Sequence, residues 1–149
     1  MRTRTMIAGL AALVLAAVLP SLLAAASRGQ AAKEIVWTPV PGPGKKCPIN
    51  EAYYFRYEFS EKPKMGMVIL KVQVFDKKND QVVPFKATGR SDMPSMRGAH
   101  DSGDVEFRLN RKNDYLLPVN IVMPGDWEIR LIFWLNGQPV YHGSIRFDV

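Results

Sequence analysis

The residues with the clearest chemical potential lie in the longest loop, Arg90 to Asp104, where Met93, Met96 and His100 fall within eight residues. Thioether sulfur is a soft donor suited to Cu(I), and imidazole serves either oxidation state of copper. Their spacings, three and four, match one face of a helical turn, and Pro94 suits the first helical position. The pattern predicts a two-sulfur, one-nitrogen copper site on one short segment, with Met93, Met96 and His100 as ligands to Cu(I). A second reading places the two methionines under the loop, where they cap the end of the fold. Burying a methionine is worth roughly 1.5–3 kcal/mol, so each use has a physical motive. Met65, Met67 and Met123 are further sulfur sources if the fold brings them near.

Catalytic chemistry has little to work with. The chain carries two histidines and one cysteine in 149 residues. Asp101 and Asp104 stand close to His100 and could orient it, but no serine or cysteine nucleophile is placed to use the imidazole. His142 falls on the outward set of the last alternating run. No glycine-rich phosphate loop, nucleophile elbow or paired-cysteine metal motif occurs. The chain reads as a non-enzyme. Cys47, being alone, allows no intrachain disulfide. Gly44, Lys45 and Lys46 precede it instead of the small apolar residues that mark a lipid-modified cysteine. It reads as an inert, partly shielded thiol, with interchain pairing or metal binding as the alternative.

A loop of this kind needs a scaffold, and the hydropathy pattern names one. Tyr53, Phe55, Tyr57 and Phe59 alternate with wetter residues. So do Val68, Leu70, Val72 and Val74; Val105, Phe107 and Leu109; Trp127, Ile129, Leu131, Phe133 and Leu135; and Tyr141, Gly143, Ile145 and Phe147. A period of two puts successive side chains on opposite faces of a strand. Weaker strands are expected at Val82 to Thr88 and Leu116 to Val122. Lys77-Lys78-Asn79-Asp80 reads as a polar hairpin turn, and Asn136-Gly137 as a type I′ turn. Pro124-Gly125-Asp126 leads the chain into the Trp127 strand. The expected fold is all-β: a seven-stranded immunoglobulin-like antiparallel β-sandwich preceded by an N-terminal signal or anchor helix.

Residues 1–26 carry the export pattern. Arg2 and Arg4 form a positive start, Met6 to Leu19 is uncharged and apolar, Pro20 and Ser21 interrupt it, and Ala24 to Ala26 supply small residues for cleavage. Cleavage is expected near Ala26, with Ala31 or Ala32 as later options. The same run is about long enough to stay as an uncleaved anchor. Both readings put the rest outside the cytoplasm, because Arg2 and Arg4 remain inside. The domain is then periplasmic or extracytoplasmic, held at the inner membrane by residues 6–26 if the signal is retained. Residues 27–50, rich in proline and glycine from Thr38 onward, read as an extended lead-in. Residues 51–149 form the sandwich domain. The net charge of +6 falls by two without Arg2 and Arg4, and the remainder is scattered among acidic neighbours. A nucleic-acid binder would need a dense basic face, so nucleic acid is excluded as a partner.

The order of features resembles a known group. A glycine-led strand with an acidic end (Gly66 to Asp76) is followed by a polar turn, Val82-Val83-Pro84, the Met93-Pro94-x-Met96 loop, and a Gly-Asp-Trp turn from Gly125 to Trp127. Over roughly Tyr54 to Val149 this is similar to the YtkA-like and FixH-like small exported β-sandwich domains. The resemblance implies copper handling or oxidase assembly outside the cytoplasm, with Met93 and Met96 as ligands and His100 as a third. Arg97 departs from that picture, because a cation opposes Cu(I) unless Asp92 or Asp101 offsets it. The expected function is an extracytoplasmic copper carrier, buffer or oxidase-assembly accessory, whose partner is a copper-receiving protein. The alternative is a non-catalytic interaction module of a membrane-associated complex, contacting its partner through the loop and the outward aromatics Tyr54 and Trp134.

Overall fold

The computed structural model describes residues 34–149. The expected signal or anchor, its cleavage point and the start of the lead-in lie outside the described residues. Within them the alternating runs form strands. The six long ones are β3 (Tyr53–Phe59), β4 (Gly66–Asp76), β6 (Lys86–Asp92), β9 (Tyr115–Ile121), β10 (Asp126–Leu135) and β11 (Gln138–Asp148). Two-residue strands β1 (Thr38–Pro39), β2 (Cys47–Pro48), β5 (Gln81–Val82), β7 (Val105–Glu106) and β8 (Arg108–Leu109) complete the edges. One sheet has the order β1-β11-β10-β6-β7. The other has the order β2-β3-β4-β9-β8, with β5 on the end of β4. Every pairing is antiparallel except that of β1 with β11.

The fold is two sheets over one apolar core, because each long strand turns its hydrophobic set to the same side. Val68, Leu70, Val72 and Val74 of β4 and Trp127, Ile129, Leu131 and Phe133 of β10 are all buried. Phe55 of one sheet meets Phe133 of the other edge to face, with ring centroids 5.2 Å apart. Phe85, Tyr115 and Tyr141 complete the aromatic centre around Phe133. The Tyr115 hydroxyl donates to the Phe85 carbonyl at 2.8 Å and accepts from the Phe85 N–H at 3.2 Å. That satisfies a polar group which burial would otherwise penalise.

Three expectations change. The strand expected at Val82 to Thr88 is broken after Val82 and resumes at Lys86, because Pro84 offers no N–H to a ladder. It then runs on to Asp92, three residues into the segment read as loop, and pairs Ser91 with Ile129 and Asp92 with Glu128. The run Val105 to Leu109 is two strands in different sheets: β7 pairs with β6 and β8 with β9. The chain changes sheets at Phe107, which is buried against Gly89, where an added Cβ would lie 2.9 Å from the ring. The lead-in is also not outside the sheets, since β1 pairs with Gly143 and Ser144 and β2 with Phe55 and Tyr54.

The hairpin from β10 to β11 sets which polar residues meet on the outer face of its sheet. Asn136 and Gly137 have φ of 51° and 77°, the positive values a type I′ turn requires. Leu135 pairs with Gln138 and Trp134 with Pro139. A bulge then shifts the register, so that Phe133 pairs with Tyr141 and Glu128 with Arg146.

Candidate functional site

The Met-Pro-x-Met loop folds differently from one continuous helical face. Pro94–Met96 is a single 3-10 turn, and the chain leaves it at Arg97 with ψ of 126°. Gly98 then takes a φ of 83°, so the i, i+3, i+7 geometry is not propagated to His100. Met93 points into the fold: it is 2% exposed and belongs to the core. Gly125 makes room for it, since a Cβ there would stand 2.8 Å from the Met93 methyl carbon. Met96 is 43% exposed. The His100 ring lies beside Trp127, with centroids 6.5 Å apart. The turn therefore sends one sulfur inward and one outward, and does not present the two sulfurs together at the surface. Among the described residues no group of three His, Cys, Asp or Glu side chains is placed to hold a metal ion. Cys47 is buried, and that burial pushes its thiol up to about 11.

The loop is instead tied to β10 by polar groups. Ser95 bonds Asp126 through both its N–H and its hydroxyl, and Asp92 accepts from the Met93 and Gly98 N–H groups. Arg90 holds Asp101 at 2.7 Å, and that bond comes first in drawing the Asp101 carboxyl below its usual range. Arg97, the cation at odds with a Cu(I) site, reaches over β10 and pairs with Glu128.

Glu128 organises the outer face of this sheet. Its side chain is 1% exposed, yet it sits on the side of β10 opposite the hydrophobic set. The register explains the cluster. Glu128 faces Arg146 across the hairpin and Asp92 of β6 on the other flank, while Arg130 faces Ser144 and Arg90. The carboxylate accepts from the Ser144 hydroxyl at 2.6 Å, from Arg130 Nε at 3.0 Å, from Arg146 Nε at 3.1 Å and from an Arg97 terminal nitrogen. Burial alone would raise this carboxyl. The bonds from Ser144, Arg97 and Arg146 and the charge of Arg130 overcome that and hold it down at about 2. One carboxylate thus gathers three guanidiniums, which no single charge can neutralise.

A groove of about 330 Å³ opens beside the cluster, lined by Trp37, Pro39, Val40, Glu128, Arg130, Ser144 and Arg146. The Arg130 guanidinium lies over the Trp37 ring at 5.1 Å, a cation–π arrangement that fixes both groups. His142 meets Trp37 edge on, with centroids 5.4 Å apart. A smaller hollow of about 120 Å³, lined by Arg90, Asp92, Arg97, Asp101, Glu128 and Arg130, adjoins it.

The residues of this face escaped sequence reasoning. Glu128, Arg130, Ser144 and Arg146 read only as the wet side of alternating strands, and Trp37 as part of a lead-in. The two aromatics expected to face a partner are engaged within the molecule. Tyr54 is buried, stacked on Phe75 at 5.2 Å and covered by the Lys46 ammonium at 4.0 Å. The Trp134 N–H donates to the Thr88 hydroxyl at 3.0 Å. A signal did exist: an acid and a base two apart on β10 lie opposite Ser144-x-Arg146 on β11 once the strands are aligned by their apolar faces. No family model matches this chain, and no curated protein or solved structure does so either.

Proposed function

We propose that this protein is a non-catalytic interaction module working outside the cytoplasm, built on an immunoglobulin-like β-sandwich and binding through the outer face of β6, β10 and β11. The observation that carries the reading is the buried Glu128 with Arg97, Arg130 and Arg146 drawn around it beside the Trp37 groove. Burying a carboxylate in a sheet face is costly unless it is paired, and a hydrophobic pair would hold the hairpin as well. What the carboxylate adds is a fixed array of guanidiniums, and arginine and tryptophan are the residues that most often anchor protein interfaces. The export pattern of residues 1–26 supports the location. The burial of Met93 favours this reading over a copper carrier.

The test is site-specific crosslinking of the full chain in the cells that make it. A photoreactive residue at position 142, which stands beside Trp37 on the same face, is expected to give a discrete adduct, and one at position 108, on the other sheet, is not. Equal adducts at both positions, or none at 142, would overturn the reading.

A further inference from the structure

We propose that the Trp37 groove takes a side-chain carboxylate from an acidic peptide segment of a partner protein, with Arg130 and Arg146 as its receptors. This rests on the interaction-module reading and names the occupant. Arg130 and Arg146 each direct Nε to Glu128, at 3.0 and 3.1 Å. Among the described residues their terminal nitrogens have no hydrogen-bond acceptor, and both side chains line the groove. Two parallel N–H groups of a guanidinium match the two oxygens of a carboxylate, in a charge-assisted pair stronger than a neutral one. The forks are also held in advance. Glu128 anchors both, and Trp37 lies under Arg130, so little side-chain freedom is left to lose on binding.

The size and walls of the groove narrow the ligand. At about 330 Å³ it sits at the low end of the range for ligand sites, which suits a side chain or two and not a large cofactor. Trp37, Pro39 and Val40 give it an apolar wall, so an acidic residue with an apolar neighbour fits both halves. Next to it, β1 is the edge strand of its sheet, and such an edge offers backbone groups to an incoming peptide.

An anionic membrane fits less well. A lipid surface responds to the charge of the whole face, and there Arg90 is matched by Asp101 at 2.7 Å and Asp104 at 3.9 Å, while Arg97 has Asp92 at 3.9 Å. A single carboxylate inside the groove meets mainly Arg130 and Arg146, and the opposing charge of Glu128 is already shared among three guanidiniums.

The experiment uses the full chain with labelled tryptophan, tracking the Trp37 indole signal as assigned with Trp37→Phe. The probes are blocked hexaglutamate, blocked hexaglutamine, free glutarate and phosphatidylglycerol vesicles. Hexaglutamate is expected to move the Trp37 signal saturably, and hexaglutamine to leave it in place. Arg146→Gln should weaken hexaglutamate binding by about tenfold or more, the usual scale of one hydrogen bond to a charged group. Arg146→Lys should fall between, and Arg108→Gln should match the parent. The variants' own unchanged spectra elsewhere would show that they fold. Equal binding of hexaglutamine, or no loss in Arg146→Gln, overturns the proposal. Glutarate binding as tightly as the peptide would mean a small carboxylate, and vesicle binding without peptide binding would mean a membrane; either overturns it too. If the crosslink at position 142 persists while hexaglutamate fails, the acidic occupant alone is wrong. If both fail, the interaction-module reading falls with it.

Discussion

Replacing Glu128 with glutamine removes the charge at the centre of the arginine cluster while keeping the side chain's shape. The magnitude comes from the carboxyl's displacement, from an ordinary 4.5 to about 2. At about 1.4 kcal/mol per unit, the ionised carboxylate contributes on the order of 3 kcal/mol to the folded state. The direction is fixed by linkage. The group is more acidic when folded than when unfolded, so its contribution is complete above about pH 4.5 and disappears as the pH falls towards 2. Urea unfolding of parent and Glu128→Gln at pH 7, and at steps down to pH 2.5, measures it. At pH 7 the variant should be weaker by about 3 kcal/mol, which moves the midpoint by about 1–3 M at typical urea slopes. Below pH 4.5 the parent should lose stability faster, so that the two curves converge. Asp101, Asp114 and Asp126 are also held below their usual range, but they are present in both proteins and cancel in the difference. Parallel curves between pH 4.5 and 2.5, or equal midpoints at pH 7, would refute the reasoning, because the cluster would then not depend on this charge.

Four further outcomes are expected. Met93→Ala should cost about 2–5 kcal/mol, since it empties a core position, and Met96→Ala should change stability by less than about 0.5 kcal/mol; denaturation midpoints separate the two. Titrated with Cu(I) against a chelator, Met96→Ala should match the parent. A large loss of affinity would return the loop to metal binding. Gly89→Ala would place a Cβ 2.5 Å from Leu117 Cδ2 and 2.9 Å from the Phe107 ring, which should cost about 1–3 kcal/mol in thermal or chemical unfolding, as overpacking does. Cys47, with its thiol pushed up to about 11, should resist a thiol reagent at pH 8 in the native protein and react once urea unfolds it.

The alternation of apolar residues was enough to determine that this chain folds into strands and, for β3, β4, β10 and β11, which side enters the core. In Tyr53 to Phe59, Val68 to Val74 and Trp127 to Leu135 the apolar set faces the core, because a strand has only two faces. Asn136-Gly137 likewise marked its hairpin, since few other pairs accept two positive φ values. Tertiary structure decided where the chain turned away from a simple run. Phe107 leaves one sheet for the other because its ring fills the space beside Gly89. Met93 packs into the core because Gly125, distant in sequence, leaves room for its methyl group. The arginine face depended on register above all. A two-residue turn alone would set Glu128 opposite Ile145, with a charge against the core face. The bulge between Phe133 and Trp134 moves the pairing by one residue, so Glu128 meets Arg146 and polar side lies over polar side. Local propensity has no view of that shift. It is settled only when both strands must bury their apolar faces at once.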